Sequence, residues 1–407
     1  MKKRGRKPKE ESLHKNGQRM TFYIKNDLKK KLHTYTTSNN IQISDFVNEA
    51  LEKQLSLYSV NTPDTGNYRV VSLFSGCGGM DLGFRGGFNF LNTKYERNGF
   101  NIVFANDIFP EACETYANYF KHTPLCADIK EYLDNKGFVP DCDVVIGGFP
   151  CQDFSLAGKR LGFKSERGKL YMQMKRIISL KKPLIFVAEN VKGLMNLEGA
   201  LDTIKSDFAD VGYRIMDQLL LAANYGVPQM RERVFIIGIR NDCTANFHYP
   251  FPTHSADPEE GLKPWITAQQ AIGDLWGTEK TNTHLPNQDQ FSKAKNYGEH
   301  LQGNKPIKSN MPGPTIRAEH HGNIEFHYNK SRRLTVRECA RIQTFPDDFV
   351  FKGSGSSAYV QIGNAVPVVL AWHIAKSIRR FLDEEKAARS QNNKSHNVGY
   401  PLQKHTA

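Results

Sequence analysis

The feature that most restricts the fold of this 407-residue chain is a series of apolar runs: VVSLF (70–74), NIVFAND (101–107), DVVIGGF (143–149), PLIFVAEN (183–190), YRIMDQLLL (213–221) and RVFIIGI (233–239). Fully apolar strands separated by helix-length segments form a parallel sheet covered on both faces. The expected class is α/β, a doubly wound, Rossmann-like sheet over residues 68–240.

The flanks differ from this body. Residues 1–60 are basic and end at the turn-rich linker NTPDTGN, 61–67. After Arg240 the pattern dissolves into Pro, His, Asn, Gln and Lys, predicting a small, irregular domain over 241–310. A return segment, 311–384, completes the body. In it Thr335 and Glu338 form a capping-box pattern opening a helix that Pro346 closes, and Gly363-Asn364 make a turn before an amphipathic helix. The tail, 385–407, is expected to be disordered.

No apolar run approaches the roughly 20 residues that span a bilayer, and the basic N-terminus lacks the apolar core of a signal peptide, so cytoplasm is the expected compartment and no membrane partner is implied. The seven cysteines are scattered without a CxxC pair, which excludes a disulfide framework and a zinc site; no metal is expected. The net charge is +13, and Met1 to Lys31 hold twelve Lys and Arg against three acidic residues. That asymmetry points to a polyanion, with nucleic acid ahead of a merely solvated tail.

Several residues fall where open α/β sheets bind ligands, at the carboxyl ends of strands. Phe74, Ser75, Gly76, Cys77, Gly78 and Gly79 form a strand-to-helix turn whose glycines admit close backbone approach to a nucleotide-like ligand. Asp107 ends the next strand, where a ribose hydroxyl is bound. Asp128 ends a third and reads equally as an adenine contact or a helix cap. Cys151 follows the fourth strand, Glu189 ends the fifth, and Arg231 and Arg233 alternate at the start of the last, on one face. A thiol, a carboxylate and an arginine beside a nucleotide pocket make a catalytic constellation.

Taken in order, LFSGCGG, GGFPCQDFS, AENVKGL, QMRERVF and GNAVP closely resemble the motifs of the bacterial DNA (cytosine-5) methyltransferase family, over roughly residues 68 to 384. The resemblance implies an S-adenosylmethionine-dependent methyltransferase sheet with a target-recognition domain at 241–310. It implies methylation of cytosine C5 in a short sequence of duplex DNA, with base flipping, beside a cognate restriction nuclease. Cys151 matches the nucleophile that adds to C6, Glu189 the residue that bonds N3 and the exocyclic amine, and Arg233 the O2 ligand, with Arg231 in support. For the cofactor it implies Phe74, Ser75, Gly76, Gly78, Gly79, Asp107, Asp128, Ile129, Pro150, Leu170, Asn364 and Ala365, with Ile108 where some relatives carry an aromatic. Ser155, Lys159 and Arg160 begin a loop that would grip DNA phosphates.

The first sixty residues resemble a ribbon-helix-helix DNA-binding domain: an alternating strand RMTFYIK (19–25), a helix capped by Asn26-Asp27, and a second begun by Ser44-Asp45. The resemblance implies a homodimer with Arg19, Thr21, Tyr23 and Lys25 facing DNA and repression of the protein's own promoter; a helical dimerisation appendage is the rival. KKRGRKPK reads as a non-specific phosphate-binding arm. For the whole chain, transfer RNA methylation and a repressor with an inactive methyltransferase body are the other functional readings.

Overall fold

The computed structural model describes residues 26–38, 41–44, 46–47, 67–149, 170–258, 261–278, 285–293, 305–318, 324–330 and 332–396. The chain divides into two compact units, Met1–Gln54 and Leu55–Ala407. In the first, α1 (Asn26–Ser38) is followed by helical residues at 43–44 and 46–47, and the rings of Tyr35 and Phe46 meet at 5.1 Å. The strand expected at 19–25 lies outside the described residues.

The second unit is built on seven strands: β1 (Tyr68–Leu73), β2 (Phe100–Asp107), β3 (Leu125–Cys126), β4 (Val144–Gly147), β5 (Ile185–Val191), β6 (Tyr213–Leu221) and β7 (Glu232–Arg240). Their order across the sheet is β3-β2-β1-β4-β5-β7-β6. The apolar runs divide by alternation between two cores. Val70, Val144, Ile146, Ile185, Val187, Phe235 and Ile237 belong to one. Val71, Val145, Phe186, Ala188, Val234 and Ile236 belong to the other. A period of two with both phases apolar is what a sheet covered on both faces requires.

One strand departs from the all-parallel expectation. β7 pairs antiparallel with both β5 and β6. Only Ala222–Arg231 separates β6 from β7, too short for the crossover a parallel pair needs. β6 forms the sheet's edge, with only Tyr213 and Leu220 of its residues buried, so its run is less buried than its composition suggests.

Helices α2 (Gly79–Arg85), α3 (Pro110–Phe120), α4 (Ile129–Asp134), α5 (Leu170–Lys181) and α6 (Ala200–Ala209) link the strands. The return segment supplies α7 (Val336–Ile342), α8 (Gly355–Asn364) and α9 (Val368–His396). The capping box at Thr335 and Glu338 forms as expected, and the helix ends before Pro346. Gly363-Asn364 end α8 rather than forming a free turn. α9 lies so close on α2 that a Cβ at Gly83 would stand 2.7 Å from the Val368 carbonyl oxygen and the Trp372 amide. The segment Gly355–Gln391 is long and apolar enough to cross a membrane, but its most apolar window is 72% buried within the protein.

Two boundaries shift. The helical chain runs through His396, past the expected start of a disordered tail at 385. The reason is Glu385, which accepts from the amides of Thr244 and Ala245 at 2.8 and 2.9 Å and from Arg389 at 2.6 Å. The irregular region after Arg240 also shares the main core: Ala268, Ala271, Ile272 and Leu275 are buried in the cluster that holds Ile342 and Phe345. Arg341 fastens it by bonding the Ala271 carbonyl at 3.2 Å and the Asp274 carboxylate at 2.6 Å.

Candidate active site

A cavity of about 700 Å³ opens along the carboxyl edge of the sheet, within the size range of small-ligand sites. It reaches from Asp107 on β2 across β1 and β4 to Glu189 on β5. Three strand spacings make that span about 14 Å. Because β7 runs antiparallel, its first residues, not its last, arrive at this edge, and Arg233 pairs in register with Val191.

At the β5 end, Arg233 Nε meets Glu189 Oε1 at 2.8 Å, both side chains nearly buried. Burial pushes the Glu189 carboxyl above the ordinary glutamate range, outweighing the opposite pull of Arg233 and Arg231. Gly148 faces this carboxylate so closely that a Cβ there would lie 3.0 Å from Glu189 Oε2. Asn190 donates to the Phe149 carbonyl at 2.9 Å and accepts from the Val191 amide at 2.9 Å. It therefore anchors the chain two residues before Cys151. Cys151 itself lies outside the described residues, as do Pro150, Ser155, Lys159 and Arg160.

Arg231 was expected beside Arg233 in a role toward the substrate. It lines the cavity but is 1% exposed, and its guanidinium donates to the carbonyls of Ile316, Gly363 and Ala365 at 2.8, 2.8 and 3.1 Å. A planar fork of donors suits such a cluster of carbonyls. Arg231 thus holds the return segment against the sheet. Gln343 joins it by donating to the carbonyls of Ile362, at 2.8 Å, and Ala365, at 2.6 Å. Gln229 accepts from the Ile316 amide at 3.0 Å. Gln229, Asn190 and Gly148 lie inside QMRER, AEN and GGF, which was the one hint of them in the sequence; Gln343 lies in none of these motifs.

At the other end, the glycine turn follows β1. Phe74 adopts a left-handed φ of 54°, and Gly76 shares it with open space where a side chain would be. Asp107 accepts from the Gly76 amide at 2.7 Å and the Phe109 amide at 2.9 Å, tying the turn to β2. Burial raises its carboxyl, against those two amide bonds. Ser75 bonds the Asn106 carbonyl, and Ile108 is 66% exposed at the rim. Asp128 caps α4, Oδ1 accepting from the Lys130 and Glu131 amides, and it also lines the cavity. Ile129, Leu170, Asn364 and Ala365 also line the cavity. Gly79 does too, a Cβ on it falling 2.7 Å from the Val366 oxygen. Gly78 does not. It faces away, against Tyr116 and Phe120, where a side chain would collide with the Phe120 ring.

The model of the C-5 cytosine-specific DNA methylase family matches residues 68–380. The chain belongs to this family. It is a DNA methylase that acts at C5 of cytosine. The methylase is 38% identical over 350 residues to the type II methyltransferase M.NgoFVII of Neisseria gonorrhoeae, covering 81% of this chain and 90% of that one. It is 37% identical over 396 residues to the type II methyltransferase M.BspRI of Lysinibacillus sphaericus, covering 84% and 90%. Its fold resembles that of a crystal structure described as a DNA modification methyltransferase encoded within an Escherichia coli prophage, with TM-score 0.58, 23% identity and coverage of 78% of this chain and 100% of that one. Such relatives place it among restriction-modification methyltransferases.

Proposed function

We propose that the methylase uses S-adenosylmethionine to methylate one cytosine of a short specific sequence in duplex DNA, with Cys151 as nucleophile. The observation that carries this reading is the single cavity with the Glu189–Arg233 pair at one end and the glycine turn with Asp107 at the other. The residues fit such a cofactor: Gly76 leaves open space for close approach, Asp107 and Asp128 offer carboxylates, and Phe74 and Ile129 offer apolar surface. When bound, S-adenosylmethionine supplies an electrophilic methyl group.

The protein's own residues would then do the following. The Cys151 thiolate adds to C6 of the flipped base, giving C5 the electron density to attack an electrophile. Glu189 donates to N3, and the burial that raises its pKa favours the protonated form which that donation needs. Arg233, aligned by its bond to Glu189, would meet the O2 side of the base. After alkylation a base removes the C5 proton and the thiolate leaves, restoring Cys151. Asn190 keeps the segment before Cys151 in place through the Phe149 carbonyl.

Bisulfite sequencing of plasmid DNA from a methylation-free host tests this. One short motif with protected cytosines, lost in Cys151→Ala, supports the reading; protection that survives the substitution overturns the nucleophile.

The N-terminal unit is proposed as a second DNA contact of ribbon-helix-helix type that dimerises and represses the methylase's own promoter, balancing a cognate nuclease. Support comes from the helix pair whose Tyr35 and Phe46 rings meet. Footprinting of the upstream DNA would show a protected palindrome; an unprotected one would end this proposal.

A further inference from the structure

Outside the residues assigned above, the carboxylate of Asp81 is fully buried, and both its oxygens are bonded across elements. Ser72 on β1 donates to Oδ2 at 3.0 Å, and Tyr116 on α3 donates to Oδ1 at 3.0 Å. Ser72 and Asp81 bracket the glycine turn, so their bond closes its base. Tyr116 is itself buried and stacks on Phe120 at 4.3 Å, and these two rings are the ones that press on Gly78. α3 also begins directly after Asp107 and Phe109, whose amide Asp107 holds. Both Asp81 and Ser72 line the cavity. One carboxylate therefore links the two segments, the glycine turn and the Asp107 corner, that face the cofactor.

We propose that Asp81 is a positioning residue for cofactor binding, its ionised carboxylate latching the glycine turn to β1 through Ser72 and to α3 through Tyr116. The proposal rests on the reading of this cavity as the S-adenosylmethionine site. An ionised carboxylate accepts from both hydroxyls, whereas a protonated one turns one oxygen into a donor and must give up or reverse one bond. Burial raises the Asp81 carboxyl to about 6, against the bonds from Ser72 and Tyr116. Asp107, at the end of β2, adds a charge that acts in the same direction as burial. The other titratable groups around the latch are Cys77 in the turn, which feels the Asp81 charge, Arg85 of α2, which acts on Tyr116, and His122, whose ring meets that of Tyr116 at 5.8 Å and whose pKa burial lowers to about 4. From α9 the contacts on α2 beside Gly83 are Val368, Ala371 and the Trp372 backbone, all uncharged. The latch is complete above that value and opens as pH falls through it.

The test is calorimetric titration of S-adenosylmethionine into the full-length protein and its Asp81→Asn, Tyr116→Phe and Ser72→Ala variants between pH 5 and 8, with melting temperatures in parallel. The wild-type affinity should fall severalfold below pH 6. At pH 7.5, Asp81→Asn should bind about tenfold more weakly and with a flattened pH profile, the loss of a bond to a charged group. Tyr116→Phe, which keeps the ring, should lose part of the affinity, and the KM for the cofactor should rise more than kcat falls. Variants that bind like the wild type with the same pH profile would overturn the proposal; if Asp81→Asn does not fold, Tyr116→Phe and Ser72→Ala decide it. A wild-type chain that bound no S-adenosylmethionine would instead overturn the cofactor reading, and this proposal with it.

Discussion

Glu189 and Arg233 meet at 2.8 Å although their strands run in opposite directions, and it is that opposition that lets them meet. In a parallel β7 the two arginines of QMRER would start at the far edge of the sheet. The pair also explains a carboxyl that is raised while bonded to a cation: burial outweighs the partner.

The first prediction concerns pH. The pKa of Glu189 is raised by burial, so any step that needs its proton is supported below that pKa and lost as pH rises through it. Glu189→Gln retains a hydrogen-bonding group without the titrating proton. Its methylation rate should fall by about 10²-fold or more, and the wild-type advantage should shrink as pH rises. A ratio that stays constant with pH would remove Glu189 from proton donation.

Gly148 has no left-handed backbone to protect, so its role is space. In Gly148→Ala the new methyl would lie 3.0 Å from Glu189 Oε2 and push the carboxylate aside. Displacement of that order lowers kcat by up to about 10²-fold, with the melting temperature and cofactor affinity unchanged. Single-turnover kinetics beside thermal melts separate the two effects.

Arg231→Met deletes the donors to three buried carbonyls, those of Ile316, Gly363 and Ala365. Ala365 keeps its bond from Gln343, but leaving the Ile316 and Gly363 carbonyls unpaired should destabilise the fold by at least about 2 kcal/mol. Chemical denaturation would read this directly; a variant as stable as the wild type but inactive would restore a direct role at the substrate.

Glu385→Ala removes the acceptor for the Thr244 and Ala245 amides. The cost should be about 1–3 kcal/mol. Burial acts to raise the Glu385 carboxyl, but the Ala245 amide, Arg389 and the Thr244 amide hold it below the ordinary range. The stability it contributes is therefore present above the unfolded glutamate value, about 4.3, and is lost as pH falls through the depressed one. Acid unfolding curves of the two proteins should converge in that window.

Much of this architecture was legible in the sequence because strand burial writes itself as apolar runs, and because glycines, prolines and carboxylates stand at the strand ends. The split of Val70 and Val71 between two cores follows from alternation alone. The direction of β7 was not legible from its composition, since an apolar strand reads alike in either sense; the short Ala222–Arg231 connection carried that information. Arg231 and Arg233 share one face, as alternation requires, yet one binds backbone and the other a carboxylate. Alternation gives a side, not a partner. Asp81 was invisible for a similar reason, since its bonds reach back nine residues to Ser72 and forward thirty-five to Tyr116. Glu385 was missed because a polar C-terminal run resembles solvated chain until an acceptor finds amides on a distant turn.

The close seating of α9 on α2 has a consequence for how the enzyme is made. The glycine turn and the helix that covers α2 lie far apart in the chain, so the pocket closes only once distant segments have met. An interrupted translation product leaves the turn without its lid and Asn364 and Ala365 missing from the pocket wall. A chain without the return segment therefore lacks part of the cavity wall as well as the cover of the turn.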